Sequence, residues 1–167
     1  MSGNVYSEIN LHVTWHTKGS AALLEPKIEA LVHRHLRGKC INTPGVYYHE
    51  VDGTETHVHL CVTVLPKVHI DEYIGQLKGG SSHEVNSKLG RKLLEWQQGY
   101  GVVSFGTKDL EWVKAYVRDQ KQRHATGRTV ERLERITSLD AWLKPNTEKP
   151  PEGGSEQEIV LPSTDPP

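Results

Sequence analysis

The sequence predicts an α+β fold: a mainly antiparallel sheet of four or five strands, helices on one of its faces, and a further helix toward the C-terminal end. Three observations predict it. Segments with period-two alternation and segments with helical period follow one another as strand, helix, strand, strand, helix, strand, helix. Two of the strands are neighbours in the chain and flank Asp52-Gly53, a hairpin signal that makes them antiparallel. The length, 167 residues with 35% hydrophobic content, suits one domain with a real core and a tail. This order fits split βαβ architectures, in which the second sheet face stays open for a site.

The first strand is expected within Val5 to Thr17, with Ile9, Leu11 and Val13 on one side and Asn10, His12 and Thr14 on the other. Pro26 stands where a helix starts, the amphipathic pattern runs to about Leu36, and Gly38 is placed to end it. Val46 to Val51 and Thr56 to Leu65 form the hairpin, closed by Pro66. A helical segment from Ile70 to Lys78 is expected to break at Gly79-Gly80 and to restart at Ser81, with Glu84 completing a capping box. Val102 to Phe105 is a short strand. Lys108 to Ala125 is a strongly periodic helix stopped by Gly127, and Thr129 caps a last helix through Ile136.

The domain is expected to span residues 1–137, and residues 138–167 to form a tail. From Lys144 onward Pro, Glu, Gly and Ser dominate, the composition of a disordered segment. The net charge of −1 divides unevenly: Pro145 onward carries Glu148, Glu152, Glu156, Glu158 and Asp165 against Lys149, which is −4, leaving +3 for the rest. Positive residues crowd Arg118, Lys121, Arg123, Arg128, Arg132 and Arg135, an asymmetry that suits a phosphate backbone and equally a solvated helix face. No apolar run reaches the roughly 18 residues of a membrane span, and no secretory signal is visible at the start, so a cytoplasmic protein without a membrane partner is expected. Cys40 and Cys61, in or beside predicted strands, are expected to be reduced core thiols.

His57-Val58-His59 carries the first chemical signal. It lies inside Thr56-His57-Val58-His59-Leu60-Cys61-Val62-Thr63-Val64, and strand geometry sends both imidazoles to one face, half of a metal site. The spacing alone is weak, because ten histidines produce about 0.6 such pairs by chance. His33-Arg34-His35 is the chain's own control: on a helix its rings point about 200° apart. The second signal is the helix after Leu110. Leu110, Val113 and Val117 repeat at core spacing, while Trp112, Tyr116, Gln120, Arg123 and His124 lie on an adjoining face. Tyr116 and Gln120 are one turn apart, so a phenol and a carboxamide meet the paired imidazoles if that face covers the sheet. A phenol has an ordinary pKa near 10 and needs a cation to serve as a nucleophile at neutral pH. A divalent ion supplies one and binds a phosphate oxygen as a Lewis acid. From spacing alone, each residue is also compatible with an ordinary core or surface role, and Cys61 on the histidine face leaves a zinc site open.

Four longer motifs stand in one order: His57-Val58-His59-Leu60-Cys61-Val62-Thr63-Val64-Leu65-Pro66, Leu77-Lys78-Gly79-Gly80-Ser81-Ser82, Trp96-Gln97-Gln98-Gly99-Tyr100-Gly101-Val102-Val103-Ser104, and Tyr116-Val117-Arg118-Asp119-Gln120-Lys121-Gln122-Arg123-His124. With the opening Leu11-His12-Val13-Thr14-Trp15-His16-Thr17-Lys18, they resemble the small single-tyrosine transposases of insertion sequences and their REP-associated relatives, members of the HUH endonuclease superfamily. The resemblance spans about Val5 to Ile136. It implies a ferredoxin-like or RRM-like fold, with His57, His59 and Gln120 as ligands of Mg²⁺ or Mn²⁺ and Tyr116 as the nucleophile. It further implies attack on single-stranded DNA next to hairpins, a 5′-phosphotyrosine intermediate, and a homodimer in which the tyrosine helix can act in the partner's site. Under it, Lys78, Ser81 and Ser82 hold a phosphate at a helix start, and Arg118, Lys121, Arg123, His124 and Arg128 contact the strand. Trp96 and Tyr100 are base-stacking candidates, with a core role favoured.

The chain departs from the family pattern at Thr56, where relatives often carry Asp or Asn, and at Gly19-Ser20-Ala21-Ala22, where arginines are usual. Arg123-His124 replaces paired histidines. Two rival functions follow from the same residues: a nucleic-acid-binding module without catalysis, and a structural zinc protein using His57, His59 and Cys61.

Overall fold

The structure is a computed structural model that describes residues 4–136. The expected tail and the expected boundary at residue 137 lie outside the described residues. Four strands form one sheet: β1 (Ile9–His16), β2 (Val46–Gly53), β3 (His57–Val64) and β4 (Gly101–Phe105), in the order β2-β3-β1-β4 with every neighbouring pair antiparallel. The expected α+β class and antiparallel sheet are thus observed.

Strict alternation in the two central strands builds two different faces. On one, Leu11, Val13 and Trp15 of β1 and Val58, Leu60, Val62 and Val64 of β3 meet Ile28, Val32, Leu36 and Cys40 of helix α1 (Pro26–Asn42) and Tyr73, Ile74, Leu77 and Val85 of helix α2 (Ile70–Leu89). The i, i+4 row along α1 runs one turn past Gly38, so the helix does not end there as expected. Burying Leu36 and Cys40 outweighs the cost of about 1 kcal/mol for a helical glycine. Cys40 therefore lies in a helix rather than beside a strand, and both cysteines are free.

Helix α2 is also continuous, without the expected break at Gly79-Gly80. A Cβ at Gly80 would stand 2.8 Å from His35 Nε2, so this glycine makes room for α1 instead of interrupting α2. The hairpin is likewise displaced. Asp52 and Gly53 pair with His59 and Val58, and the turn is made by Thr54 to Thr56, with the Thr54 N–H donating to His57 O at 3.0 Å. Gly53 is needed for closeness, because a Cβ there would lie 2.1 Å from the His57 carbonyl oxygen.

The helix expected over residues 108–125 is divided. A 3₁₀ turn at Thr107–Asp109 leads into α3 (Leu110–Arg118), which meets α4 (Gln120–Thr126) at Asp119. Val113 and Val117 of α3 pack on Cys61, with Phe105 and Leu110 half-buried beside them, so α3 sits on the sheet face opposite α1 and α2. Gly127, at φ +67, ends α4 as expected. The last helix, α5 (Glu131–Glu134), is shorter than expected and is preceded by Val130 rather than capped by Thr129. Its buried Leu133 anchors it.

Candidate metal and nucleophile site

The second face of β1 and β3 is polar and nevertheless buried, holding Asn10, His12, Thr14, His57 and His59. Register explains the grouping: Thr14 pairs with His59 and His16 with His57 across the two central strands. Burial of so many polar groups is tolerable only when they are partnered. His59 Nδ1 lies 2.8 Å from His12 Nε2. His57 Nδ1 lies 2.9 Å from both Thr54 Oγ1 and Thr56 Oγ1, so Thr56 supplies a hydroxyl where relatives often carry a carboxylate or amide. The His16 ring stacks on His57 with centroids 4.7 Å apart.

Each candidate ligand is thus held by its Nδ1, which directs its Nε2 outward from the sheet. Burial, followed by the neighbouring imidazole His59, pushes both His57 and His12 down to about 3, and burial lowers His59 as well. All three rings are therefore neutral at pH 7, the state in which an imidazole offers a lone pair.

Helix α3 brings Tyr116 against this face. Its ring centroid is 6.1 Å from those of His59 and His12. Half-exposed Trp112 stacks on the Tyr116 ring at 5.5 Å, one turn earlier on the same helix. The Arg123 guanidinium lies 4.6 Å from the Tyr116 centroid. The hydroxyl itself is engaged twice: it donates to Glu134 Oε1 and accepts the Val130 N–H at 3.0 Å. Burial, then the Glu134 hydrogen bond, push the phenol up to about 12. Gln120 follows one turn later, wholly buried, with its Nε2 donating to Tyr116 O at 3.0 Å.

Glu134 is the group that sequence reasoning missed. Its Oε2 lies 3.3 Å from His59 Nε2, 3.4 Å from His124 Nε2 and 3.7 Å from His57 Nε2. Burial works to raise its pKa, but His59 and the Tyr116 hydroxyl outweigh that and bring it to about 2. Nothing in a four-residue helix ten positions beyond His124 marks Glu134 out; it stands in a segment rich in charge of both signs.

His57, His59, His124 and Glu134 present ligand atoms all within 4.8 Å of one another. His57 Nε2, His59 Nε2 and Gln120 Oε1 are buried without an aligned hydrogen-bond partner. Leaving such atoms unpaired is costly unless something satisfies them, and imidazole nitrogens with a carboxylate oxygen among them match a divalent ion. The residues present therefore fit a metal. Cys61 does not join them, although it was a candidate ligand on this face. Its thiol is packed under Val113 and Val117, and burial pushes it up to about 12, which keeps it protonated.

The expected DNA contacts fare unevenly. No helix starts at Gly79 to Ser82, so the phosphate cradle expected there is corrected. Lys78 Nζ donates to Gln97 O at 2.7 Å and Gly99 O at 2.8 Å, and Ser81 is buried, accepting from Trp96 Nε1 at 3.0 Å. Ser82 Oγ returns to the Lys78 carbonyl at 3.1 Å. Trp96 packs edge-on against Trp15 with centroids 5.9 Å apart, as a core residue. Arg118 is paired with Glu50, and Lys121 with Glu29 and Asp52. Lys121 thereby also occupies the second cluster of possible ligands, Glu29, His33 and Asp52. Arg123 and Arg128 line a cleft with Asp119, Gln122 and Thr126. His124, expected on the strand, faces Glu134 instead, its ring 4.7 Å from that of His57.

A family model described as Transposase IS200 like matches residues 5–120, more than half of the chain. Among solved structures, a candidate transposase from Deinococcus radiodurans is similar with a TM-score of 0.56 and 20% identity, over 72% of this chain and 95% of that one. A REP-associated tyrosine transposase bound to a REP hairpin is similar with a TM-score of 0.53 and 13% identity, over 77% of this chain and 76% of that one. No curated protein matches the chain.

Proposed function

The chain belongs to the IS200-like transposase family, and from that premise we propose that it cuts and rejoins single-stranded DNA beside hairpins, using Tyr116 as nucleophile and a divalent ion held by His57 and His59. One observation carries the proposal. A single carboxylate, Glu134, touches the Tyr116 hydroxyl with one oxygen and approaches His59 Nε2 to 3.3 Å with the other, so nucleophile and paired imidazoles converge on one spot. The similarity in fold to a hairpin-bound relative supports hairpin DNA as the substrate class.

In the reaction, Tyr116 Oη attacks phosphorus and forms an oxygen–phosphorus bond while the bond from phosphorus to the 3′ oxygen breaks. The phenolic proton departs along the existing hydrogen bond to Glu134, and the leaving 3′ oxygen takes a proton to end as a hydroxyl. The 5′ phosphate stays on Tyr116, so the bond energy is conserved and a 3′ hydroxyl can reverse the step at a new junction. A Mg²⁺ or Mn²⁺ ion held by His57, His59 and Gln120 would supply Lewis-acid stabilisation of charge on a non-bridging phosphate oxygen. The chain's own groups hold the phenol protonated at rest, and the Arg123 guanidinium over the ring favours the phenolate once the proton leaves. Arg123 and Arg128, which line one cleft, are the candidates for strand contacts, whereas His124 faces Glu134 and Arg118 and Lys121 are paired with carboxylates of the same chain.

Tyr116 lies with its ring 6.1 Å from that of His59, and Lys121 ties α4 to Glu29 on α1 and Asp52 on β2. Both features support action of the tyrosine within its own subunit, so the expected homodimer would bring together two complete sites. The deciding experiment incubates the protein and Tyr116→Phe with single-stranded hairpin DNA and Mn²⁺. A denaturant-resistant protein–DNA adduct is expected with the parent alone; equal adduct with the variant overturns the nucleophile assignment.

A further inference from the structure

We propose that Glu134 is itself a ligand of the divalent ion, a carboxylate delivered to the paired histidines by helix α5 from beyond the segment that the family model matches. The inference rests on the metal-dependent reading of the same site.

Three observations carry it. The first is chemical. His57, His59 and Gln120 are all neutral donors, whereas magnesium and manganese are hard cations usually held by at least one carboxylate in addition to substrate phosphate. A set of two imidazoles and an amide lacks any anionic ligand, and Glu134 supplies one.

The second is geometric. Glu134 Oε2 faces three imidazole Nε2 atoms at 3.3, 3.4 and 3.7 Å, yet His57 Nε2 and His59 Nε2 have no aligned hydrogen bond. The partly buried Oε2 therefore points at three imidazole nitrogens without an aligned hydrogen bond to any of them. A cation among these atoms resolves the conflict for all of them at once.

The third is the way the carboxylate is held. Glu134 Oε1 is fixed by the Tyr116 hydroxyl, and the same hydroxyl accepts the Val130 N–H, so α5 is pinned at both of its ends by the nucleophile. Leu133 is buried between them in sequence, and a Cβ at Gly101 would lie 2.0 Å from the Arg135 carbonyl oxygen, which shows how closely the following backbone lies on β4. Glu134 is therefore placed by packing and not by a mobile side chain. As a ligand through Oε2 and a hydrogen-bond acceptor through Oε1, it holds the phenol oxygen next to the ion.

The test measures Mn²⁺ binding directly, by calorimetry and by electron paramagnetic resonance, without DNA. Glu134→Gln keeps the shape and removes the charge; Glu134→Asp keeps the charge and draws it back by one methylene. His57→Ala serves as the control for the underlying site, and circular dichroism confirms that each variant is folded. Glu134→Gln is expected to bind Mn²⁺ at least about tenfold more weakly than the parent, with Glu134→Asp in between and a changed manganese spectrum in both. If His57→Ala loses binding while Glu134→Gln binds as tightly as the parent, or more tightly, the carboxylate is no ligand and this inference fails alone. If the parent binds no Mn²⁺, or His57→Ala binds it undiminished, the metal-dependent reading fails and takes this inference with it.

Discussion

The two faces of the central sheet are built from the same eight-residue strands and are buried to nearly the same extent, yet they do opposite work. On the face under α1 and α2, Leu11, Val13, Trp15, Val58, Leu60 and Val62 make a dry core whose partners are interchangeable hydrocarbons. On the face under α3, His12, Thr14, His57 and His59 are as inaccessible as those residues, but each ring depends on a specific neighbour: Thr54 and Thr56 for His57, His12 for His59. The apolar face contributes stability that scales with area. The polar face spends stability to hold lone pairs in place. Burial alone therefore does not distinguish scaffold from site; what distinguishes them is that His12, His57, His59 and Gln120 on the polar side each keep a buried polar atom without a partner, whereas in the sheet's apolar face only the Trp15 indole nitrogen does among the described residues.

Substitutions on the two faces should separate activity from stability. The largest effect is expected from Tyr116→Phe, which reduces adduct formation to background while lowering stability by about 1–3 kcal/mol, because the Val130 N–H and Glu134 lose a partner. Gel analysis after denaturation and a thermal melt together check it. Leu60→Ala is expected to do the reverse, costing about 2–5 kcal/mol in chemical denaturation while leaving Mn²⁺ affinity of the folded protein unchanged. Loss of metal binding in that variant would show the two faces to be coupled.

A smaller effect is expected from Thr54→Val combined with Thr56→Val. It removes both hydroxyls at His57 Nδ1 and should weaken Mn²⁺ binding by about tenfold, the lower end for groups that orient a ligand. Acid tests the same face differently. His12 and His57 are held near 3 by burial, whereas an unfolded histidine titrates near 6.5. Below about pH 6.5 the unfolded chain therefore takes up protons that the folded chain refuses, so stability is complete above that value and declines as pH falls toward 3. Melting temperatures between pH 7.5 and 4 are expected to show this, with a shallower decline for His12→Gln; equal slopes would remove His12 from the account. The smallest effect is expected from Lys121→Ala. Its side chain is more than half exposed although Glu29 and Asp52 are partly buried, so the cost should be about 1 kcal/mol in denaturant titration.

Strand alternation makes the central part of this comparison legible in the sequence alone. The pattern in His57 to Val64 already assigned the odd residues to one face and the even ones to the other, and Tyr116 and Gln120 at one-turn spacing pointed to the covering helix. Three of the departures share a physical cause: glycine reads as a local breaker where tertiary contact governs. Gly38 lies under a continuing buried row, Gly80 makes way for His35, and Gly53 lets the His57 carbonyl approach. Thr54 and Glu134 were invisible for a different reason. Neither belongs to a periodic pattern, and each acquires its role only when a turn or a short helix is folded back over the imidazoles, information that lies in long-range packing and not in spacing.

The stack of Trp112 on Tyr116 has a practical consequence. A half-exposed indole lying against the reacting phenol, with a guanidinium 5.9 Å from its own ring, is a built-in optical probe. Its emission should respond when a phosphate becomes attached next door, so turnover at this centre can be followed in real time without any added dye.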